Sequence, residues 1–283
     1  MSRLENILST YIPDSEISKL NFLAGTKNKT VPVSSDLFKV VQRGIYWGKF
    51  SSGAFDISIN PVTKLWKFDS DSPTLPDPKK LLNAVSLIDY RDIFFKGNSI
   101  SLKKTGMSLN LGAIGKGYAV DRAVETLKFY GIKNGLVNAG GDLMAFGSKD
   151  GTKPWNIGIQ HPRKPEKIIA SLTLKDKAVA TSGDYQKYFI LEGKRYHHIL
   201  NSKNGWPSGK TISATVIANT VADADALSTA LFILGEEKGL KLINSLEDVE
   251  GMILSNIKST SFSSGFLNLP GFSLQNLKDN LAQ

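Results

Sequence analysis

An α+β fold, with packed helices and mixed and antiparallel sheets, is expected of this chain from three features of its sequence. Apolar residues recur at helical spacing near the start, middle and end of the chain, short alternating segments lie between them, and glycine-bearing turns separate those segments at hairpin distance. The helices and hairpins come in clusters, without the strict strand-helix alternation of a doubly wound sheet. At 283 residues the chain is long for one small core and short for three, so it reads as one domain over 1–283, or as two interlocked subdomains.

Leu4, Ile7 and Leu8 give the first helical stripe, which Pro13-Asp14-Ser15 breaks before a helix restarts with Asp14 or Ser15 as its cap. Residues 36 to 47 place apolar side chains at 37, 40, 41 and 45, with Ser34 or Ser35 to cap them, and predict a core helix. Residues 69 to 79, rich in Pro, Asp and Ser, read as a surface loop. Strands are expected at 85–95 and 99–103 around Gly97-Asn98. From 107 to 147 the pattern is strand, glycine turn, helix, strand, glycine turn, strand, the helix running from Gly117 to Tyr130 and closing at Gly131. Further strands are expected at 155–160, 168–174, 177–181, 186–191 and 194–200, a buried helix at 225–234, and a terminal strand and short helix after 260. No internal repeat is visible.

Composition narrows the function classes. With 41% hydrophobic and 22% charged residues the chain is an ordinary globular protein, which excludes disordered, collagen-like and coiled-coil classes. No stretch reaches the ~18 uninterrupted apolar residues of a membrane-spanning helix. The absence of cysteine excludes disulfides, thiolate metal sites and cysteine nucleophiles. The net charge of +9 is carried mostly by lysine, with only Arg3, Arg43, Arg91, Arg122, Arg163 and Arg195 as arginines, scattered along the chain. Base-edge readout leans on the arginine fork, so nucleic acid is disfavoured and anionic small molecules are favoured.

Three glycine-bearing segments and one helix start could carry chemistry. Gly112 to Gly117 precedes a helix, where backbone N–H groups and the helix dipole favour a phosphate; its glycines, at 112, 115 and 117, match neither a phosphate loop nor GxGxxG, and a tight turn is the competing reading. Gly140-Gly141-Asp142 reads first as a hairpin turn. Thr181-Ser182-Gly183-Asp184 is followed by His197-His198, and adjacent strand residues face opposite ways, so at most one histidine serves a site and either could be structural. Asp223 and Asp225 are expected just ahead of the last buried helix. Asp225 and Thr229, four apart, put two oxygens on one helical face, suited to a hard cation such as Mg²⁺, unless Asp225 is an N-cap.

The order of these segments is more specific than any one of them. Ser9-Thr10-Tyr11 with Asp14 to Asn21, Gly53-Ala54-Phe55-Asp56 with Pro61 and Leu65-Trp66, and Leu111-Gly112-Ala113-Ile114-Gly115-Lys116-Gly117-Tyr118-Ala119-Val120-Asp121 come first. Asn138-Ala139-Gly140-Gly141-Asp142, Thr181-Ser182-Gly183-Asp184, His198-Ile199-Leu200 and Ala224-Asp225-Ala226-Leu227-Ser228-Thr229-Ala230 follow. From about residue 4 to about 255 the series resembles the ApbE family of flavin transferases. That resemblance implies the family's fold and a Mg²⁺-dependent enzyme that takes FAD, cleaves its pyrophosphate, releases AMP and attaches FMN through a phosphoester to a Thr or Ser of an acceptor protein. An FAD pyrophosphatase and a flavin binder without turnover are the alternatives.

Residue by residue, the resemblance implies metal ligands at Ala113 (backbone carbonyl), Asp225 and Thr229, with Ser228 adjacent, and His198 as general base. It implies FAD contacts at Tyr11, Ser52, Gly53, Ala54, Asn110, Lys116 and Ile199. Two departures lower the negative charge: the family usually has Asp where this chain has Asn110, and Asp-Pro where it has Asn201-Ser202. Asn keeps one acceptor and adds a donor. The family's first strand, with a Met-Gly-Thr stretch that touches FAD, is expected to be missing, so either the N-terminus is trimmed or the true start lies upstream. If a signal was trimmed, a periplasmic or membrane-anchored location on the outer face of the inner membrane is implied, with the cytoplasm as the alternative. The implied acceptor is a flavoprotein, a membrane redox-pump subunit or flavin-dependent reductase.

Overall fold

The computed structural model describes residues 2–26, 29–68, 70, 72–256 and 259–275. Its contacts divide the chain into two compact units, Met1–Gly115 with Lys187–Ser208, and Lys116–Gln186 with Gly209–Gln283.

The first unit opens with α1 (Ser2–Leu8) and α2 (Glu16–Phe22), the second capped by the Ser15 hydroxyl, which accepts the Ser18 N–H at 3.2 Å. A short strand β1 (Val31–Pro32) leads to α3 (Ser35–Phe50), capped by Ser34; it buries Leu37, Val40 and Val41 of the predicted stripe and Trp47 beside them, while Ile45, the fourth predicted position, is half-buried. After the turn at 51–55 come α4 (Asn60–Thr63) and α5 (Pro78–Val85). The strand expected from 85 begins only at β2 (Ile93–Lys96), which pairs across the Gly97-Asn98 turn with β3 (Ser99–Leu102). Asp77 accepts the Lys80 N–H at 2.9 Å and Pro78 fills a first-turn position, so a capped helix takes the stretch to Val85 and a single 3-10 turn, Tyr90–Asp92, follows. Consequently the loop ends before Pro78; its residues 69 and 71 lie outside the described residues.

The second unit begins at the start of α6 (Gly115–Phe129). Among the described residues no strand directly precedes this helix; Ser108 makes only an isolated parallel bridge to Ile59. Beyond α6, β4 (Gly135–Ala139) and β5 (Asp142–Phe146) form a hairpin whose turn residues Gly140 and Gly141 sit at φ 67 and 103, the region open to glycine. Next are β6 (Trp155–His161), β7 (Lys164–Leu174) and β8 (Lys177–Gly183). The chain returns to the first unit for the hairpin β9 (Tyr188–Leu191) and β10 (Lys194–His197), then re-enters the second for β11 (Thr211–Ala218), α7 (Val221–Asn244), β12 (Glu250–Ser255), β13 (Thr260–Phe262) and β14 (Ser273–Leu274). A 3-10 turn at Phe266–Asn268 is the short helix expected in the tail, and 276–283 lie outside the described residues.

The main sheet has the order β13-β12-β11-β8-β5-β4, every pair antiparallel, and α7 packs on it. A smaller antiparallel sheet, β14-β7-β6, shares with it a core of Leu143, Ile157, Ile159, Ile169, Leu172 and Phe266. In the first unit, Trp66 stacks on Phe68 and meets Trp206 edge-on, while its indole N–H donates to the Gly205 carbonyl at 2.8 Å. That bond satisfies the one polar atom of a side chain only 3% exposed.

At Gly117, in the first turn of α6, an added Cβ would lie 2.4 Å from the Val221 carbonyl oxygen and 2.8 Å from Ala222 Cα. Gly→Ala inside a helix usually adds about 1 kcal/mol of stability. Here the sign reverses, because the obstacle is backbone: Gly117→Ala is expected to cost about 1–3 kcal/mol, read as a lower urea midpoint at unchanged slope.

Candidate active site

Helix α7 is where the second unit gathers its oxygens. Thr220 caps it, accepting the Asp223 N–H at 3.2 Å, and the Asp121 carboxylate of α6 accepts the Val221 and Ala222 N–H groups at 2.8 and 2.9 Å. The helix therefore starts four residues earlier than the sequence suggests. Asp223 and Asp225 lie within it, and Asp225 is not the cap, which leaves its carboxylate for other work. Gly235, at φ 75 and ψ −173, breaks the helix just past the expected end at 234.

Asp225 is 4% exposed. Its carboxylate accepts the Gly117 N–H at 3.2 Å and lies 3.4 Å from Lys116 Nζ through both oxygens. The same ammonium sits 2.5 Å from Asp142 Oδ2, on the first residue of β5 after the Gly140-Gly141 turn. Two buried carboxyl groups thus share one ammonium, which can balance the charge of only one of them. Burial pushes both carboxyls above the usual carboxylate range, while Lys116 pulls both down. Burial alone would lower the Lys116 ammonium, but Asp225 and Asp142 outweigh it and hold it well above its ordinary value.

Thr229, one turn on from Asp225, presents its hydroxyl on the same helical face. Ser182 Oγ on β8 lies 3.1 Å from Thr229 Oγ1 and 2.9 Å from Ser228 Oγ, and Ser228 donates to the Asp225 carbonyl at 2.9 Å. A carboxyl and a hydroxyl, with a second carboxyl on the shared lysine, form a hard-oxygen set, and this donor chemistry fits Mg²⁺, whose charge would favour the ionised carboxylates. Among the described residues no three His, Cys, Asp or Glu side chains form a metal-holding group, so an ion held here would have to keep several waters or substrate oxygens, as Mg²⁺ usually does.

The two histidines separate cleanly. His197, 5% exposed at the end of β10, has Nε2 2.7 Å from the Ser208 carbonyl, while its Nδ1 accepts the Ile199 N–H at 3.3 Å. A carbonyl only accepts, so Nε2 carries the proton and the ring is a neutral backbone brace. His198 lies past the strand end and is half-buried; its backbone N–H and its Nδ1 both approach the Lys187 carbonyl, at 3.0 and 3.2 Å. Nδ1 is therefore the protonated nitrogen and the basic lone pair is on Nε2. The chain leaving the strand, more than alternation within it, sets the two rings apart.

A family model described as the ApbE family matches residues 1–253. The chain belongs to the ApbE family. A relative from Treponema pallidum (strain Nichols), an FAD:protein FMN transferase, is 31% identical over 95% of this chain and 78% of its own length. One of the same name from Klebsiella pneumoniae (strain 342) is 31% identical over 93% and 82%. Among solved structures, the ApbE protein of Thermotoga maritima matches with a TM-score of 0.87 at 31% identity, over 95% of this chain and 88% of that one. The flavin transferase ApbE of Vibrio cholerae matches at 0.85 and 27% identity, over 95% and 87%. The chain is thus an enzyme, a transferase of the flavin-transfer class, with the α+β fold its sequence predicts.

The other residues that the ApbE resemblance singles out lie in the first unit. Tyr11 is 79% exposed, its ring 5.8 Å from Lys187 Nζ, so a face is open to stacking. Ser52, at φ 53, Gly53 and the buried Ala54 form the turn after α3, and Ser202 Oγ donates to the Gly53 carbonyl at 2.5 Å. Ser202 is one of the departures from the family pattern, and here its hydroxyl ties down that turn. Asn110 Oδ1 accepts the Gly112 N–H at 2.8 Å, holding the turn that contains Ala113 with an oxygen an Asp would equally supply. Ile199 is 5% exposed. Two residues of the second-unit site, Asp142 and Ser182, stand in the sequence motifs without a role of their own. A carboxylate directly after a Gly-Gly turn is the available signal for Asp142; no local signal marks Ser182.

Proposed function

We propose that this enzyme transfers FMN from FAD to a Thr or Ser hydroxyl of an acceptor protein, with Mg²⁺, releasing AMP. The observation that carries the reading is Asp225: a buried carboxylate on one helical face with Thr229, beside an ammonium shared with Asp142. Bound at Asp225 and Thr229, Mg²⁺ would offset the charge that develops on the pyrophosphate oxygens. Lys116 supplies a fixed cation for the same oxygens, kept protonated by its two carboxylates. In the first unit the exposed Tyr11 ring offers a stacking face for the flavin, and His198 Nε2 takes the proton of the acceptor hydroxyl as its oxygen bonds to the FMN phosphorus. The phosphoanhydride bond breaks, AMP leaves with the electron pair, and acceptor and FMN are joined by a phosphoester.

The test is incubation of the enzyme with FAD, Mg²⁺ and a candidate acceptor subunit, followed by in-gel flavin fluorescence and AMP assay. Fluorescence on the acceptor with equimolar AMP supports the reading. AMP with free FMN and no labelled acceptor would make water the nucleophile, and bound FAD without AMP would make the chain a binder. A narrower prediction concerns Asp142→Asn. Losing that charge lets Lys116 move fully onto Asp225 and compete with the cation, so the Mg²⁺ concentration for half-maximal AMP release is expected to rise about 10-fold.

A further inference from the structure

Three hydroxyls and one carbonyl in the second unit form a hydrogen-bond chain whose direction is decided at one end. The Asp225 carbonyl can only accept, so Ser228 Oγ, 2.9 Å away, spends its proton there. Ser228 must then be the acceptor in its 2.9 Å contact with Ser182, which fixes Ser182 as donor. Having given its single proton to Ser228, Ser182 can only accept from Thr229 Oγ1 at 3.1 Å. The order runs Thr229 to Ser182 to Ser228 to the Asp225 carbonyl, and it turns the Thr229 proton toward β8. Both lone pairs of Thr229 Oγ1 are left for another partner, as a cation ligand requires.

We propose that Ser182 is a positioning residue that orients the Thr229 hydroxyl so that its lone pairs, and not its proton, face the divalent cation. The inference rests on the Mg²⁺ reading above. Ser182 is well placed to do this, being 9% exposed, held by strand pairing to Ala214, and rooted in a different element from the helix whose hydroxyls it joins. Without it, the Thr229 hydroxyl proton would be free to turn toward the cation, where it opposes binding. Asp225 would be untouched, because no member of the chain bonds to its carboxylate.

The probe is Mn²⁺ titrated into the nucleotide-free enzyme and followed by the EPR signal of the free ion, so the readout does not depend on turnover. Ser182→Ala is expected to weaken Mn²⁺ binding about 10-fold, within the range for partners that orient metal ligands. Ser182→Thr should restore it, and Ser182→Cys, which keeps the volume but accepts weakly, should behave as the alanine variant and covers the case in which alanine fails to fold. Because Ser182 acts through Thr229, Ser182→Ala combined with Thr229→Ala should bind Mn²⁺ no more weakly than Thr229→Ala alone. Unchanged affinity in Ser182→Ala and Ser182→Cys, with a loss in Thr229→Ala, overturns the proposal and leaves the metal reading standing. Losses that add fully in the double variant also overturn it. Unchanged affinity in Thr229→Ala overturns both.

Discussion

Asp225→Ala is expected to abolish Mg²⁺-dependent AMP release and FMN transfer while the protein remains folded. The carboxylate is the charged oxygen donor on the α7 face it shares with Thr229, and a neutral side chain there leaves only uncharged donors beside an Asp142 held by Lys116, too weak a set for a divalent ion in water. Folding survives because the buried charges still balance: Lys116 keeps its 2.5 Å partner Asp142, so one ammonium faces one carboxylate. The Gly117 N–H loses its acceptor, a cost of about 1–3 kcal/mol. The measurement is AMP release against Mg²⁺ concentration together with a urea melt. Near-normal turnover at limiting Mg²⁺ would remove the metal assignment, whereas loss of folding would show that the carboxylate is structural.

His198→Ala is expected to slow FMN transfer by about two to four powers of ten, the range for a lost general base, with little change in FAD affinity. With Nδ1 donating to the Lys187 carbonyl, the lone pair of this ring is on Nε2. His197→Ala should do the reverse. Its ring braces the Ser208 carbonyl and the Ile199 N–H, so losing it costs about 1–3 kcal/mol of stability, with a much smaller effect on transfer at saturating FAD. Single-turnover transfer with both variants, beside their urea midpoints, separates the two roles. Equal losses in rate, or a loss only in His197→Ala, would overturn the assignment of His198.

What near neighbours along the chain decide is legible in the order of the amino acids alone. Helix periodicity placed α3 and α6, Ser15 and Ser34 marked the caps of α2 and α3, and the hairpins of β4 to β10 followed from alternation and turn residues, because each rests on contacts within a few positions. The spacing of Asp225 and Thr229 was legible for the same reason, and the order of the motifs along the chain placed it in its family. Local signals also mislead or leave a choice open: apolar residues after 85 suggest a strand where Asp77 and Pro78 have already started a helix, and an N-cap role for Asp225 competes with the cation reading because the carboxylate that meets the first N–H groups of α7, Asp121, lies about a hundred residues away. The division of Lys116 between Asp142 and Asp225, 26 and 109 residues distant, and the meeting of Ser182 with Thr229 across 47 come about on folding. Strand register and helix packing set such pairings, and the shared ammonium and the direction of the hydroxyl chain arise only once they bring these groups together away from water.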